Sequence, residues 1–271
     1  MSQMQKVVIP KRQTFAQAIV EQRNIMGAVI LRDLRTRFFN HGLGFLIVPM
    51  FPFVHLFALL LLNNLVGARF EYGEDINIFL ASGLIPTLTF MYVSRYMSMS
   101  LVMNRPMLAY PIVGMLEIVM GRAILEVMSA IWMAAAVFAV LFALGSNPMP
   151  AYPVQAFQAF LIAILLGISI GLVVSLITMI TDAFATVWAL SLIVFYISSG
   201  SFYVVAFLPE PVVAILEWNP VLHATEWMRT AYYPGYPDQV LDKGYVMAVA
   251  LGMLVLGLLG ERVMRRRLLI G

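Results

Sequence analysis

The sequence predicts an all-α integral membrane protein with six transmembrane helices, an N-terminal amphipathic helix and a re-entrant hairpin between spans five and six. Three observations carry this. Hydrophobic residues make up 62% of the 271 positions and charged residues only 11%, which is not the balance of a soluble domain. The apolar residues gather in six runs: 43–65, 76–98, 114–144, 155–180, 184–199 and 245–260. Most are near the roughly 20 residues that cross a bilayer as a helix. Between the last two runs lies an apolar stretch that prolines cut into pieces too short to cross.

The first 42 residues are polar and charged, so the run that follows is expected to stay as an anchor rather than to act as a cleaved leader. Within them, 13–40 reads as an amphipathic helix. Phe15, Ala18, Ile19, Met26, Val29, Ile30, Leu34 and Phe38 recur at three- and four-residue steps, with Gln17, Glu21, Arg23, Asn24, Arg32 and Arg35 on much of the rest. Such a helix lies on a membrane surface or against a partner.

The six spans form one transmembrane domain, 43–262, followed by a basic tail, 263–271. Pro49 and Pro52 are expected to kink the first span, and His55 inside it reads as an interhelical hydrogen-bonder. The second span carries Pro86 and, near its far end, Arg95, which is expected to snorkel to the interface. An elbow follows at 104–112. Asn104 can cap a short helix there, Pro106 fits its first turn and Pro111 stops it. The third span opens with Glu117, Arg122 and Glu126. The last two are four apart and can pair. Gly167 and Gly171 in the fourth span permit close helix packing, more often with a neighbour in the same chain than with a second copy.

The stretch after span five organises the rest. Pro209-Glu210-Pro211 splits 201–218 into halves whose helices would reach only about 12 Å, against roughly 30 Å of hydrocarbon. The halves must therefore enter and turn back, and protein or a water-filled cavity must surround such irregular backbone. Asn219-Pro220 then opens an outer helix, 219–233, with Asn as cap and Pro in the first turn. Glu226 and Arg229 sit three apart on it and can pair. A hairpin ending in an interfacial helix reads as a lid on a path through the bundle. The aromatic residues here read as a belt at headgroup level, or as flat faces on which sugar rings stack.

Orientation follows from charge. Fourteen of the 17 Lys and Arg fall on the side of the termini and the elbow; Arg69, Arg229 and Lys243 lie opposite. Both termini and the elbow are expected in the cytoplasm, with the hairpin outside.

Several chemistries are excluded. The sequence has no cysteine, hence no disulfide and no thiolate site. None of the three lysines follows a glycine, so no Walker A loop is present. Ser199-Gly200 lacks the preceding glycine of an intramembrane serine protease, and His223 lies outside the spans, so no base activates that serine. Asp182, Glu117 and Glu126 sit near span edges, which argues against ion coupling at the midplane. The expectation is a non-enzymatic chain driven from outside itself.

The order of features resembles the ABC-2 type permeases, the membrane subunits of one class of ATP-binding-cassette exporters. Leu31-Arg32-Asp33-Leu34, Arg37-Phe38, Leu43-Gly44 and Pro49 are similar to the entry into the first span in the polysaccharide-export branch. Ser199-Gly200, Phe202-Tyr203, Pro209, Asn219-Pro220 and Arg229 are similar to that branch's hairpin. Within it, the capsular polysaccharide exporter permeases (KpsM-type) resemble the chain most. The resemblance implies a homodimer in the bacterial inner membrane, with two separate ATPase subunits that hold the ATP and Mg. It also implies a periplasmic co-polymerase-type partner and a lipid-linked polysaccharide as cargo. It implies no cofactor, metal or nucleic acid on this chain. It places ATPase coupling at Asn104, Arg105, Pro106, Met107, Leu108 and Tyr110 of the elbow and at Arg32 and Asp33. It places the lid or translocation path at Phe202, Tyr203, Pro209, Trp218, Asn219, Pro220, Trp227, Arg229, Tyr232 and Tyr233. The same machine could carry O-antigen, teichoic acid or a hydrophobic drug; a non-transporting scaffold subunit is the alternative from another class.

Overall fold

A computed structural model of the chain describes residues 14–37, 44–67, 72–110 and 112–270. Lys6, Lys11, Arg12, Phe38, His41, Leu43, Arg69, Pro111 and Gly271 lie outside the described residues. Ten α-helices follow in order: α1 Phe15–Arg37, α2 Gly44–Val66, α3 Ile76–Ser98, α4 Ser100–Met103, α5 Met115–Ala143, α6 Pro153–Ile180, α7 Phe184–Ile197, α8 Glu210–Leu216, α9 Pro220–Tyr232 and α10 Lys243–Ile270. Two 3₁₀ turns, Arg105–Ala109 and Val205–Phe207, complete the described structure, which contains no strand.

By length and composition, α2, α3, α5, α6 and α10 are long and apolar enough to cross a membrane. The fifth apolar run of the sequence forms α7, whose 14 residues reach about 21 Å at 1.5 Å per residue. It stops short of a full crossing. The sixth run forms a longer helix than its apolar stretch predicts, because α10 continues through the expected tail to Ile270.

The bundle is built around α3 and α6. Their most apolar stretches are 83% and 67% buried, against 22% for both α2 and α10. Glycine explains the contact. A Cβ at Gly167 would lie 2.8 Å from the Val93 side chain and 3.2 Å from the Phe90 carbonyl oxygen; at Gly171 it would lie 2.9 Å from the Ser94 carbonyl oxygen. Only hydrogen at these positions lets the two backbones meet. The glycine pair is spent within the chain. α2, α5 and α10 keep exposed apolar faces, among them Phe51, Leu61, Ile131, Leu251 and Val255.

The bundle has two distinct ends. The elbow follows the end of α3 by way of the short α4. The hairpin segment meets the first half of α3 instead: Ser201 donates to the Gly83 carbonyl and shares a hydrogen bond with Thr87. Those positions lie about 10 and 16 Å along the axis from Ile76. Elbow and hairpin therefore occupy opposite ends, and Ser201, Val204 and Val205 are buried.

Some local expectations change. α2 runs unbroken through Pro49 and Pro52. His55 lies between Tyr92 and Tyr196, at 3.5 and 3.3 Å, as an interhelical hydrogen-bonder should. Arg95 does not snorkel outward; it donates to the Ala185 carbonyl at the start of α7, 3.1 Å away. The first half of the hairpin is irregular except for one 3₁₀ turn, and only the second half is helical. α9 has no broad exposed face: every residue in it but Thr230 is buried.

Candidate functional site

At the elbow end, Pro106 sits in the first turn of the 3₁₀ segment, as expected. Asn104 does not cap that turn. It is buried, donates to the Ser100 carbonyl at 2.9 Å and accepts from Arg32 of α1 at 3.3 Å. It therefore ties the elbow to α1. Arg105 donates to the Met179 carbonyl at 2.8 Å and pairs with Asp182 at 3.2 Å, linking the elbow to the α6–α7 turn. That pair is largely exposed and adds little stability. Met107 and Leu108 are half-buried against the core of this end. Pro106 and Tyr110 are exposed, as are Met103 and Ile112. A cleft of about 300 Å³ separates the elbow from α1, lined by Glu21, Ile25, Ala28, Met107, Ile112 and Val113.

Beneath this surface lies an ion cluster. Arg122 of α5 meets Asp33 of α1 at 3.2 Å and Glu126 of its own helix at 2.8 Å. Its guanidinium lies over the Tyr96 ring, 5.2 Å from the centroid. The spacing of Arg122 and Glu126 was legible in the sequence. Asp33, 89 residues away, was not.

At the hairpin end, Arg229 of α9 is fully buried. Its guanidinium donates to the Tyr203 carbonyl at 2.6 Å, the Ser201 carbonyl at 2.8 Å and the Tyr236 hydroxyl at 3.3 Å. It pairs with Glu226 at 3.6 Å and lies over Phe79, 4.1 Å from the ring centroid. Burial pushes the Tyr236 hydroxyl above its ordinary value, so it stays protonated and donates to Glu226 at 3.1 Å. A chain of hydroxyls runs beside this pair. Thr87 reaches Ser201 at 2.7 Å and Thr225 at 3.0 Å, and Ser199 reaches Ser201 at 2.8 Å. Gly83 makes room: a Cβ there would lie 2.7 Å from the Ser201 carbonyl oxygen. Gly200 turns the chain at φ +75°.

The other expected hairpin residues divide into four groups. Asn219 caps α9, accepting from the Val221 amide at 2.9 Å, with Pro220 in the first turn. It also donates to Phe195 and Ser198 at the end of α7. Trp227 and Tyr232 are buried; Lys243 lies over the Trp227 ring and Tyr232 donates to the Pro148 carbonyl. Phe202, Tyr203 and Tyr233 are half-buried, Phe202 edge-on to Tyr196 and Tyr233 to Tyr72. Pro209 is exposed. Trp218 is 74% exposed at the α8–α9 tip, where Tyr245 holds its carbonyl at 2.8 Å. It borders an open cavity of about 690 Å³ with Glu217, His223, Asp238, Asp242 and Lys243. His223 accepts from the Asp242 amide and donates to the Glu217 carbonyl, so it braces the tip. Sequence reasoning missed Gly83, Thr87, Ser201 and Thr225. Only the buried setting gives them meaning.

The geometry defines a class first: a helical membrane protein with an apolar knob at one end and a braced, irregular hairpin at the other. No family model matches the sequence. Curated proteins do. The chain is similar to the capsule polysaccharide export inner-membrane protein CtrC of Neisseria meningitidis serogroup B, 26% identical over 245 residues, which are 90% of this chain and 92% of that one. It is similar to the protein of the same description, BexB, of Haemophilus influenzae, 24% identical with the same coverage. It is also similar to the polysialic acid transport protein KpsM of Escherichia coli, 25% identical over 237 residues, 88% of this chain and 92% of that one. Its curated relatives are thus capsule polysaccharide export inner-membrane proteins, in agreement with the resemblance read from the sequence.

Proposed function

We propose that this chain is the permease subunit of an ATP-driven exporter that moves lipid-linked capsular polysaccharide outward across the bacterial inner membrane. The observation that carries the reading is similarity along nine-tenths of the chain to inner-membrane proteins of capsule export. The fold adds physical support. A polymer needs a continuous path opened at one end and driven from the other, and the elbow and hairpin lie at opposite ends.

In this reading two copies form the path and two separate ATPase subunits bind ATP and Mg beneath it. A periplasmic co-polymerase-type protein meets the outer face. Both termini lie in the cytoplasm. α7 makes the sixth crossing by continuing into the irregular 198–207 segment, and α8 and α9 form the re-entrant lid. The exposed Pro106 and Tyr110, beside the α1 cleft, receive the ATPase.

Affinity purification of the chain in mild detergent tests this, with Pro106→Glu beside it. The native chain should retain a P-loop ATPase in equal amount. The variant, altered at an exposed position, should lose it without loss of expression. Deletion should trap polysaccharide inside the cell. Secretion of normal capsule after deletion would refute the cargo. An ATPase retained equally by both chains would refute the docking site.

A further inference from the structure

The Asp33–Arg122–Glu126 cluster does more than fill a gap between helices. Arg122 is 3% exposed, Asp33 5% and Glu126 1%. Burying such charges costs several kcal/mol per ion, and well-packed apolar side chains of similar volume often hold helices as well or better. What a buried ion cluster can add is one fixed register between its elements. Here it joins three of them, and a neighbouring hydrogen bond adds a fourth. Arg122 belongs to α5, Asp33 to α1 and Tyr96 to the end of α3, while Arg32, next to Asp33, holds Asn104 at the start of the elbow.

α1 lies against α5, and few of its side chains are deeply buried. Among its described side chains only Val29 and Asp33 are buried, and Ile19, Val20 and Leu31 are about half exposed. Val29 sits where α5 carries Gly121; a Cβ there would lie 3.3 Å from it. An apolar contact of that kind can slide. A guanidinium held by carboxylates from two helices cannot slide without breaking a buried pair.

We infer that Arg122 is a positioning residue that makes α1, the elbow and the first turns of α5 move as one body. A push on the elbow then reaches α1 and α5 in the same stroke. This consequence for transport rests on the exporter reading above; the joint itself does not.

The test uses the full-length chain. Hydrogen exchange is measured on the purified protein for Arg122→Met and for the exchanged pair Asp33→Arg with Arg122→Asp. In Arg122→Met, α1 amides should exchange at least 10-fold faster while α6 stays unchanged. The exchanged pair should return α1 to within 3-fold of native. In cells, surface polysaccharide should fall at least 10-fold in Arg122→Met while ATPase co-purification is kept. Should that variant fail to accumulate, Asp33→Asn, which leaves Arg122 with Glu126, decides by the same exchange readout. Unchanged α1 exchange would overturn the inference. So would faster exchange in α1 and α6 alike, since Arg122 would then act only as general packing. If the native chain retains no ATPase and exports nothing, the exporter reading falls while the exchange result still decides the joint.

Discussion

Arg122 at the elbow end and Arg229 at the hairpin end share three features. Each has a glutamate one turn on or back along its own helix, each lies over a ring from α3, and each reaches a partner on a distant segment. The distant partner differs. Arg122 holds the carboxylate of Asp33, whereas Arg229 holds the carbonyls of Ser201 and Tyr203. α7 ends at Ile197, so those carbonyls have left the helical ladder, and buried backbone acceptors need a donor from elsewhere. Arg229 supplies it. One arginine joins two regular helices; the other completes the hydrogen bonding of a segment that has no regular structure. That is how irregular chain survives among apolar helices.

The largest expected effect separates these two roles. Arg229→Met leaves two carbonyls without donors and Glu226 buried without its cation, a loss of about 3–5 kcal/mol. The melting temperature in detergent should fall steeply. If Arg229 served only its glutamate, adding Glu226→Leu would restore stability. We expect it not to, and full recovery in the double variant would erase the distinction.

A middle-sized effect compares glycines at the two ends. Gly83→Ala places a methyl 2.7 Å from the Ser201 carbonyl oxygen, and backbone cannot yield cheaply. It should cost about 1–3 kcal/mol by overpacking. Gly121→Ala meets only side-chain carbons, of Val29 at 3.3 Å and Ile30 at 3.5 Å, and should cost less than about 1 kcal/mol. Equal melting shifts would mean the hairpin end is no more tightly seated than α1.

The smallest effect on stability should come from Trp218→Ala, within about 0.5 kcal/mol because the ring is 74% exposed. Export, scored by surface polysaccharide, should nevertheless fall. Unchanged export would return Trp218 to the aromatic belt.

Helix boundaries were largely legible in the sequence, because long apolar runs between Pro and Gly breaks leave little choice of element. The α9 cap was legible too, from Asn219-Pro220. The burial of α9 was not. His223, Thr225, Glu226 and Arg229 give it a mixed composition that reads as interfacial, and only partners such as Thr87, Ser201 and Tyr236 reverse that. Asp33 was hidden for the same reason. A charge among apolar residues counts toward the solvated face until Arg122 is found opposite it. The proline pattern predicts a short helix over 201–208; instead that half is irregular except for one 3₁₀ turn and is held by side chains from α3 and α9.

The glycine-mediated seam between α3 and α6 has a mechanical consequence. At Gly167 and Gly171 the α6 backbone rests on the Val93 and Met97 side chains close to their Cβ atoms and beside the Phe90 and Ser94 carbonyl oxygens, so little at that seam can deform under load. The middle of the chain's bundle acts as a strut, and displacement imposed at one extremity is transmitted rather than absorbed. On the exporter reading proposed above, motion at the elbow would then reach the hairpin end with little loss.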